Sequence, residues 1–329
     1  MKKFIPILLA VLLLVSCGQK PQESPAPTAS ELSPPGTYPT SNSAPISIVA
    51  TSYPVYALAK ALTTGTNHTV SLLVQDQVNC LHDYALTTSQ MKLLESADVL
   101  VINGAGLEAF LEDAIQAAGN DMHIIDCSTG IELLELDGHS REGHHDHEGH
   151  HDHEGHEHEL DPHIWMDLGR YSMMAETLAA QLTEIDSESE LVYGHYLMRF
   201  LIEVQNAHQE MQEHSPGGAL ITFHDGFAYF AEAYGFTILR SIEEEAGSEA
   251  SAKDMEEIIA LIREHDLDAV YVERFGSTAT AEAIARETGV EVRTLDLCMG
   301  ADEKDMSDSW YIANRIERNL LVIAGEEAK

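Results

Sequence analysis

Positive charge is scarce in this chain: 18 Lys and Arg face 55 Asp and Glu, a formal net charge of −37 over 329 residues. Nucleic-acid affinity comes largely from Lys and Arg displacing counterions condensed on phosphates, so this balance excludes a nucleic-acid partner. Cysteine is scarce too, with 4 in the chain and no CxxC pair, which leaves no disulfide framework. Long apolar runs are missing. The most extended, Phe4 to Val15, is broken by Pro6 and falls short of the roughly 20 residues that a bilayer core requires. The remainder is ordinary for a globular protein, with 44% hydrophobic and 22% charged residues, enough to bury a core. The length suggests roughly two domains.

Met1-Lys2-Lys3 followed by that apolar run has the form of a secretory signal. It ends in Leu14-Val15-Ser16-Cys17-Gly18, which resembles the bacterial lipoprotein signal. The resemblance implies removal of residues 1–16 and a lipid on Cys17, anchoring the mature chain at the outer face of the cell membrane; an uncleaved anchor is the alternative. Residues 17–45 are rich in Pro, Ser, Thr and Ala without apolar periodicity, the composition of a disordered tether. With Cys17 acylated, Cys80, Cys127 and Cys298 remain. That number is odd, so at least one is unpaired, and burial as small hydrophobes is expected.

From Ile46 the pattern alternates. Strands are expected at Ile46–Ala50, Val70–Val74, Asp98–Ile102 and His123–Asp126, with helices at Tyr53–Leu62, Thr88–Ser96 and Leu107–Ala118 between them. A second run has strands at Ala219–Phe223, Thr237–Leu239, Ala269–Val272 and Val290–Leu295, with helices near Phe227–Tyr234, after a Ser251 N-cap, at Ala279–Glu287 and at Tyr311–Ile323. Short apolar strands alternating with helices argue for parallel sheets covered on both faces. Two helical stretches, Tyr171–Leu182 and Ser189–His214, lie between the runs. The fold class is therefore α/β: two lobes, each a mainly parallel sheet flanked by helices, joined by a long bridging helix. The boundaries fall at 46–170 for the N-terminal lobe, 171–215 for the linking helices and 216–329 for the C-terminal lobe.

Histidine is in excess, with 18 in total and nine of them from His139 to His158. Residues 142–158 repeat a six-residue Glu-Gly-His unit, and His147-Glu148-Gly149-His150-His151 matches the HExxH metallopeptidase pattern. That motif needs a rigid helix that puts both histidines on one face. Here glycine recurs every six residues and nothing apolar docks such a helix. The segment 139–160 reads instead as a mobile loop that binds zinc weakly through His144, His145, His147, His150, His151, His153, His156 and His158; a solvated insertion without metal is the alternative.

Outside the tract three histidines stand out. His82 follows the second strand, His224 follows the fifth, and His163 follows the fourth across the insertion. The carboxyl edge of an open α/β sheet is where ligands bind. Each has a carboxylate close by, Asp83, Asp161 or Asp225, and metal-bound imidazoles usually donate their second N–H to such a group. Neutral imidazoles suit Zn²⁺.

At these residues the chain resembles the zinc-binding solute receptors of bacterial ABC importers, the TroA-like and ZnuA-like cluster, over about residues 46–329. His82-Asp83-Tyr84 is similar to the family's HDYE segment, Asp161-Pro162-His163-Ile164-Trp165-Met166-Asp167 to its DPHxWxD signature, and Phe223-His224-Asp225 through Tyr229-Phe230 to its FHDxxxYF block. The resemblance implies a periplasmic-binding-protein-like fold, Zn²⁺ as cargo on His82, His163 and His224, and an ABC permease with its ATPase as partners of a monomeric, non-enzymatic receptor. A fourth ligand is expected at Asp296, with Cys298 or water as alternatives. Manganese receptors of the cluster carry Glu where His224 stands, and three imidazoles favour zinc.

Two other classes compete. A zinc hydrolase would use the three histidines and an activated water, with Glu273 as the strand-end general base. A passive zinc buffer or adhesin would rely on the histidine tract alone.

Overall fold

The computed structural model describes residues 38–75, 81, 84–118, 121–135, 160–242, 251–301 and 310–326. The signal segment, Cys17, Cys80, His82, Asp83 and the histidine tract lie outside the described residues. In the N-terminal lobe the chain forms β1 (Ser47–Ala50), α1 (Tyr53–Leu62), β2 (Thr69–Leu72), α2 (Thr88–Glu95), β3 (Val99–Ile102), α3 (Glu112–Ala118) and β4 (His123–Asp126). Then come α4 (Leu168–Ile185) and α5 (Glu190–His214). The C-terminal lobe holds β5 (Gly218–Thr222), α6 (Ala228–Tyr234), β6 (Phe236–Ser241), α7 (Ala252–Glu264), β7 (Ala269–Glu273), α8 (Ala279–Thr288), β8 (Glu291–Leu295) and α9 (Tyr311–Ile323).

Both sheets are parallel and share one topology, in the orders β2-β1-β3-β4 and β6-β5-β7-β8. The central strands are covered on both faces, which is why Val99, Leu100 and Val101 run as an unbroken apolar string, all buried. On the edge strand β4, His123 and Ile124 are exposed. In each sheet the strand order reverses direction once, between β1 and β3 and between β5 and β7. A crevice opens beyond the strand ends at such a switch point.

Local chemistry sets the helix ends. Ser251 caps α7 as expected, its hydroxyl accepting from the Asp254 N–H in a reciprocal capping box. Ile258, Ile259 and Ile262 bury the inner face of that helix. The expected Leu107–Ala118 helix is split into a 3₁₀ turn at Ala109–Leu111 followed by α3. The chain reaches it through Gly104, Ala105 and Gly106, three successive residues with positive φ (83°, 53° and 86°). Helix α4 starts earlier than expected, at Leu168, because Asp167 accepts from the Gly169 N–H at 2.7 Å and caps it.

The bridge is α5, whose 25 residues reach about 38 Å at ~1.5 Å per residue. It packs most extensively against α4, and also against α1, α9 and α6. One apolar core runs through both lobes and includes Tyr53, Trp165, Tyr171, Tyr229 and Phe230. Tyr53 meets Tyr311 edge-on with centroids 5.0 Å apart, and Phe200 stacks on Trp310 at 5.8 Å. Cys127 and Cys298 are buried free thiols.

The expected tether ends earlier than residue 45. Residues 38–45 have no regular structure, yet Ser41 and Ser43 are buried. The Ser43 hydroxyl donates to Asp186 at 2.9 Å, and the Ser41 N–H donates to the Gly65 carbonyl at 2.8 Å. Composition suggested disorder, but the Ser41 backbone and the Ser43 side chain pin the approach to β1. No helix among the described residues is long and apolar enough to cross a membrane.

Candidate metal centre

His163 sits in a segment fixed at each successive residue. The Asp161 N–H donates to the Leu134 carbonyl at 2.9 Å, and the Asp161 carbonyl accepts from the Tyr229 hydroxyl at 2.9 Å. The Pro162 carbonyl accepts from Asn103 Nδ2 at 2.9 Å, at the end of β3. Asp161 Oδ1 takes both the backbone N–H of His163, at 2.9 Å, and its ring Nδ1, at 2.7 Å. The other carboxylate oxygen, Oδ2, is buried with no hydrogen-bond partner among the described residues.

His224 follows β5. Its carbonyl accepts from the Ser241 hydroxyl at 2.8 Å and the Thr222 hydroxyl at 3.1 Å. Glu273, the last residue of β7, meets its ring Nδ1 at 3.2 Å. Strands β5 and β7 flank the switch point of the second sheet, so topology brings this pair together. Asp225, the expected carboxylate for His224, is half-buried on the same turn, and Glu273 is the group at Nδ1. The carboxylate expected as a hydrolase's general base thus contacts the Nδ1 side of the ring.

The two imidazoles come from different lobes and meet nearly at right angles (88°), with Nε2 to Nε2 at 3.4 Å. Two nitrogens each ~2.0–2.1 Å from a tetrahedral zinc stand about 3.3–3.4 Å apart, so the observed spacing is one edge of a zinc tetrahedron. Carboxylates at both Nδ1 atoms select the tautomer that carries hydrogen there and leaves a lone pair on each Nε2. Two lone pairs aimed at each other repel, and a cation between them removes the conflict. The residues therefore fit a zinc ion.

Asp296 is engaged elsewhere. Its Oδ1 accepts from the Cys298 N–H at 2.8 Å, and its Oδ2 faces Arg274 at 3.4 Å and Arg315 at 3.7 Å. Asn319 on α9 completes the hold, accepting from the Asp296 N–H and donating to its carbonyl. Burial, and next the Asp296 charge, push the Cys298 thiol well above its ordinary range, which keeps it protonated and a poor metal ligand. Among the described residues no three His, Cys, Asp or Glu side chains form a metal-sized group; His82 and Asp83 lie outside them.

Sequence reading missed several supports. The Trp165 indole N–H donates to the Leu297 carbonyl at 2.7 Å, across the lobes, and Asn103 holds Pro162. Glu273 was visible as a strand-end carboxylate; the strand order places it behind His224, which periodicity does not reveal.

A family model described as zinc-uptake complex component A, periplasmic (ZnuA), matches residues 48–324. The high-affinity zinc uptake system protein ZnuA of Bacillus subtilis (strain 168) is 26% identical over 277 residues, covering 83% of this chain and 85% of that protein. The zinc-binding protein AdcA of Streptococcus pyogenes serotype M3 is 26% identical over 295 residues, and this chain spans 55% of its length. A crystal structure of a ZnuA superposes with a TM-score of 0.67 at 30% identity, covering 83% of this chain and 99% of that one. With the fold, the paired histidines and a match along nearly the whole folded part, the chain belongs to the ZnuA family, the periplasmic component A of zinc-uptake complexes.

Proposed function

We propose that this chain is the extracytoplasmic receptor of an ABC zinc importer, capturing Zn²⁺ between its lobes on His82, His163 and His224 and delivering it to a permease driven by an ATPase. The observation that carries this reading is the pair of facing Nε2 atoms, 3.4 Å apart and each backed by a carboxylate at Nδ1. Nitrogen donors of this kind suit zinc better than manganese, which prefers carboxylate oxygen. Asp296, balanced by two arginines, serves the C-terminal lobe rather than the ion, and the fourth position goes to solvent. The family is one of uptake receptors, and Glu273, the general base that a hydrolase was expected to use, instead contacts Nδ1 of His224. A monomer held to the membrane by a lipid on Cys17 completes the proposal, with the histidine tract as a weaker auxiliary collector.

The test is zinc titration of the full chain against a competing chelator, alongside His82→Ala, His163→Ala and His224→Ala. One tight site per chain, lost in each variant, is expected. A tight site surviving all three substitutions, or lost only on removing the tract, would favour the passive buffer.

A further inference from the structure

Gly226 lies two residues past His224, at the entry to α6. Its φ is not among the positive ones, so no turn geometry requires a glycine there. Space does. A Cβ at this position would stand 2.8 Å from Cδ2 of His224, 3.0 Å from Cδ2 of His163 and 2.8 Å from Cδ2 of Leu297. Carbon atoms pack best at about 3.5–4.0 Å, so a methyl overlaps all three neighbours at once.

The overlap falls at a sensitive place. In imidazole Cδ2 is bonded to Nε2, so the methyl would press beside the two nitrogens that face each other at 3.4 Å. Neither ring withdraws cheaply, because Asp161 holds one Nδ1 at 2.7 Å and Glu273 the other at 3.2 Å. Leu297 is 4% exposed, and its carbonyl is held by Trp165 at 2.7 Å. Three constrained groups from two lobes converge on one missing side chain.

We propose that Gly226 is a specificity-determining residue that sets the bite of the metal site: its lack of a side chain lets His163 and His224 close to the edge of a zinc tetrahedron. The proposal rests on the reading of these two histidines as ligands. A methyl at 226 drives the rings apart and lengthens the nitrogen–nitrogen edge. A longer edge disfavours zinc more than a larger divalent ion such as Cd²⁺.

The experiment titrates the full chain and its Gly226→Ala variant with Zn²⁺ and with Cd²⁺ against a competing chelator at one pH. Zinc affinity is expected to fall roughly tenfold or more, the scale of outer-shell changes, and cadmium affinity to fall less. Adding Leu297→Ala to Gly226→Ala removes one of the three overlaps and should return part of the zinc affinity. A Gly226→Ala protein that matches the parent for both ions overturns the proposal. Should that variant not melt cooperatively, a crystal structure of the zinc-loaded parent decides: imidazoles in contact with Gly226 support the proposal, and imidazoles moved away from it overturn it. The His163→Ala and His224→Ala variants separate the two levels. Tight zinc binding retained in them defeats the ligand reading itself, whereas binding lost in them and unchanged in Gly226→Ala defeats this proposal alone.

Discussion

Trp165 and Leu297 are joined by a hydrogen bond of 2.7 Å between indole N–H and backbone carbonyl, and the two residues lie 132 positions apart in different lobes. Trp165 packs under His163, with ring centroids 5.3 Å apart, and Leu297 lies against the position that a side chain at 226 would take. This bond ties the two lobes together beside the paired histidines. Trp165→Phe keeps an apolar ring but leaves a buried carbonyl without this donor. The expected cost is about 1–3 kcal/mol of stability, read as a lower urea midpoint, together with weaker zinc binding. An unchanged midpoint and unchanged affinity would show that the bond holds nothing.

The carboxylates behind the imidazoles fix tautomer and orientation. Asp161→Asn and Glu273→Gln are each expected to weaken zinc binding by about 10–100-fold, less than removal of either histidine. Chelator competition on the purified variants measures this. Losses as severe as those of the histidine variants would mean that a carboxylate binds the ion directly.

Glu108 carries a different kind of signal. Its carboxylate accepts from the Thr51 hydroxyl at 2.7 Å and from the N–H groups of Asn103 at 2.8 Å and Gly104 at 3.0 Å, tying the ends of β1 and β3 together. Burial, only partly offset by these bonds, pushes its pKa up from 4.5 to about 7. The folded chain then binds more protons than the unfolded one between those values, so this group makes stability fall as pH rises from 4.5 to about 7. The effect is on the order of 3 kcal/mol at most. In Glu108→Gln this component should vanish, flattening the difference between urea midpoints at acidic and neutral pH. Parallel pH profiles for the parent and the variant would contradict it.

Glu135 and Leu160 pair as an antiparallel bridge, and the Asp161 N–H bonds to the Leu134 carbonyl at 2.9 Å. The two ends of the histidine-rich segment are thus closed by the lobe itself, next to His163. Deleting residues 139–158 should leave the tight site nearly unchanged and remove several weaker ones. Uptake should suffer mainly when zinc is scarce, because a tethered collector raises local metal concentration. Growth under graded chelation, compared with a version bearing Ser for every tract His, tests this. Wild-type growth of both variants at every chelator level would reduce the segment to a spacer.

The fold was legible because strand and helix periods differ. Helices Tyr53–Leu62 and Tyr311–Ile323 and strand His123–Asp126 were located to the residue, and the other strands to within two. Two aspects were not legible. Residues 38–45 look like tether by composition, and only the placement of Asp186 and Gly65 shows why they are held. Asp296 stood out as the sole carboxylate from Leu295 to Gly300; its contacts with Arg274 and Arg315 depend on where β7 and α9 bring those arginines. His163 and His224 were singled out by position and motif; the contact of Glu273 with one of them and the closeness of Gly226 to both show only where the two lobes meet.

The carboxylates behind the two imidazoles also balance charge. Zinc brings two positive charges and neutral histidine none, while Asp161 is fully buried and Glu273 nearly so. In the proposed zinc site these two carboxyl groups would match the charge of a dication, so the ion would leave water without a mobile counterion. Without the ion, the same two carboxyl groups stay buried in a chain whose formal net charge is already −37. On the proposed reading, unloading is expected to be coupled to the arrival of positive charge, as protons or as basic side chains of a receiving protein.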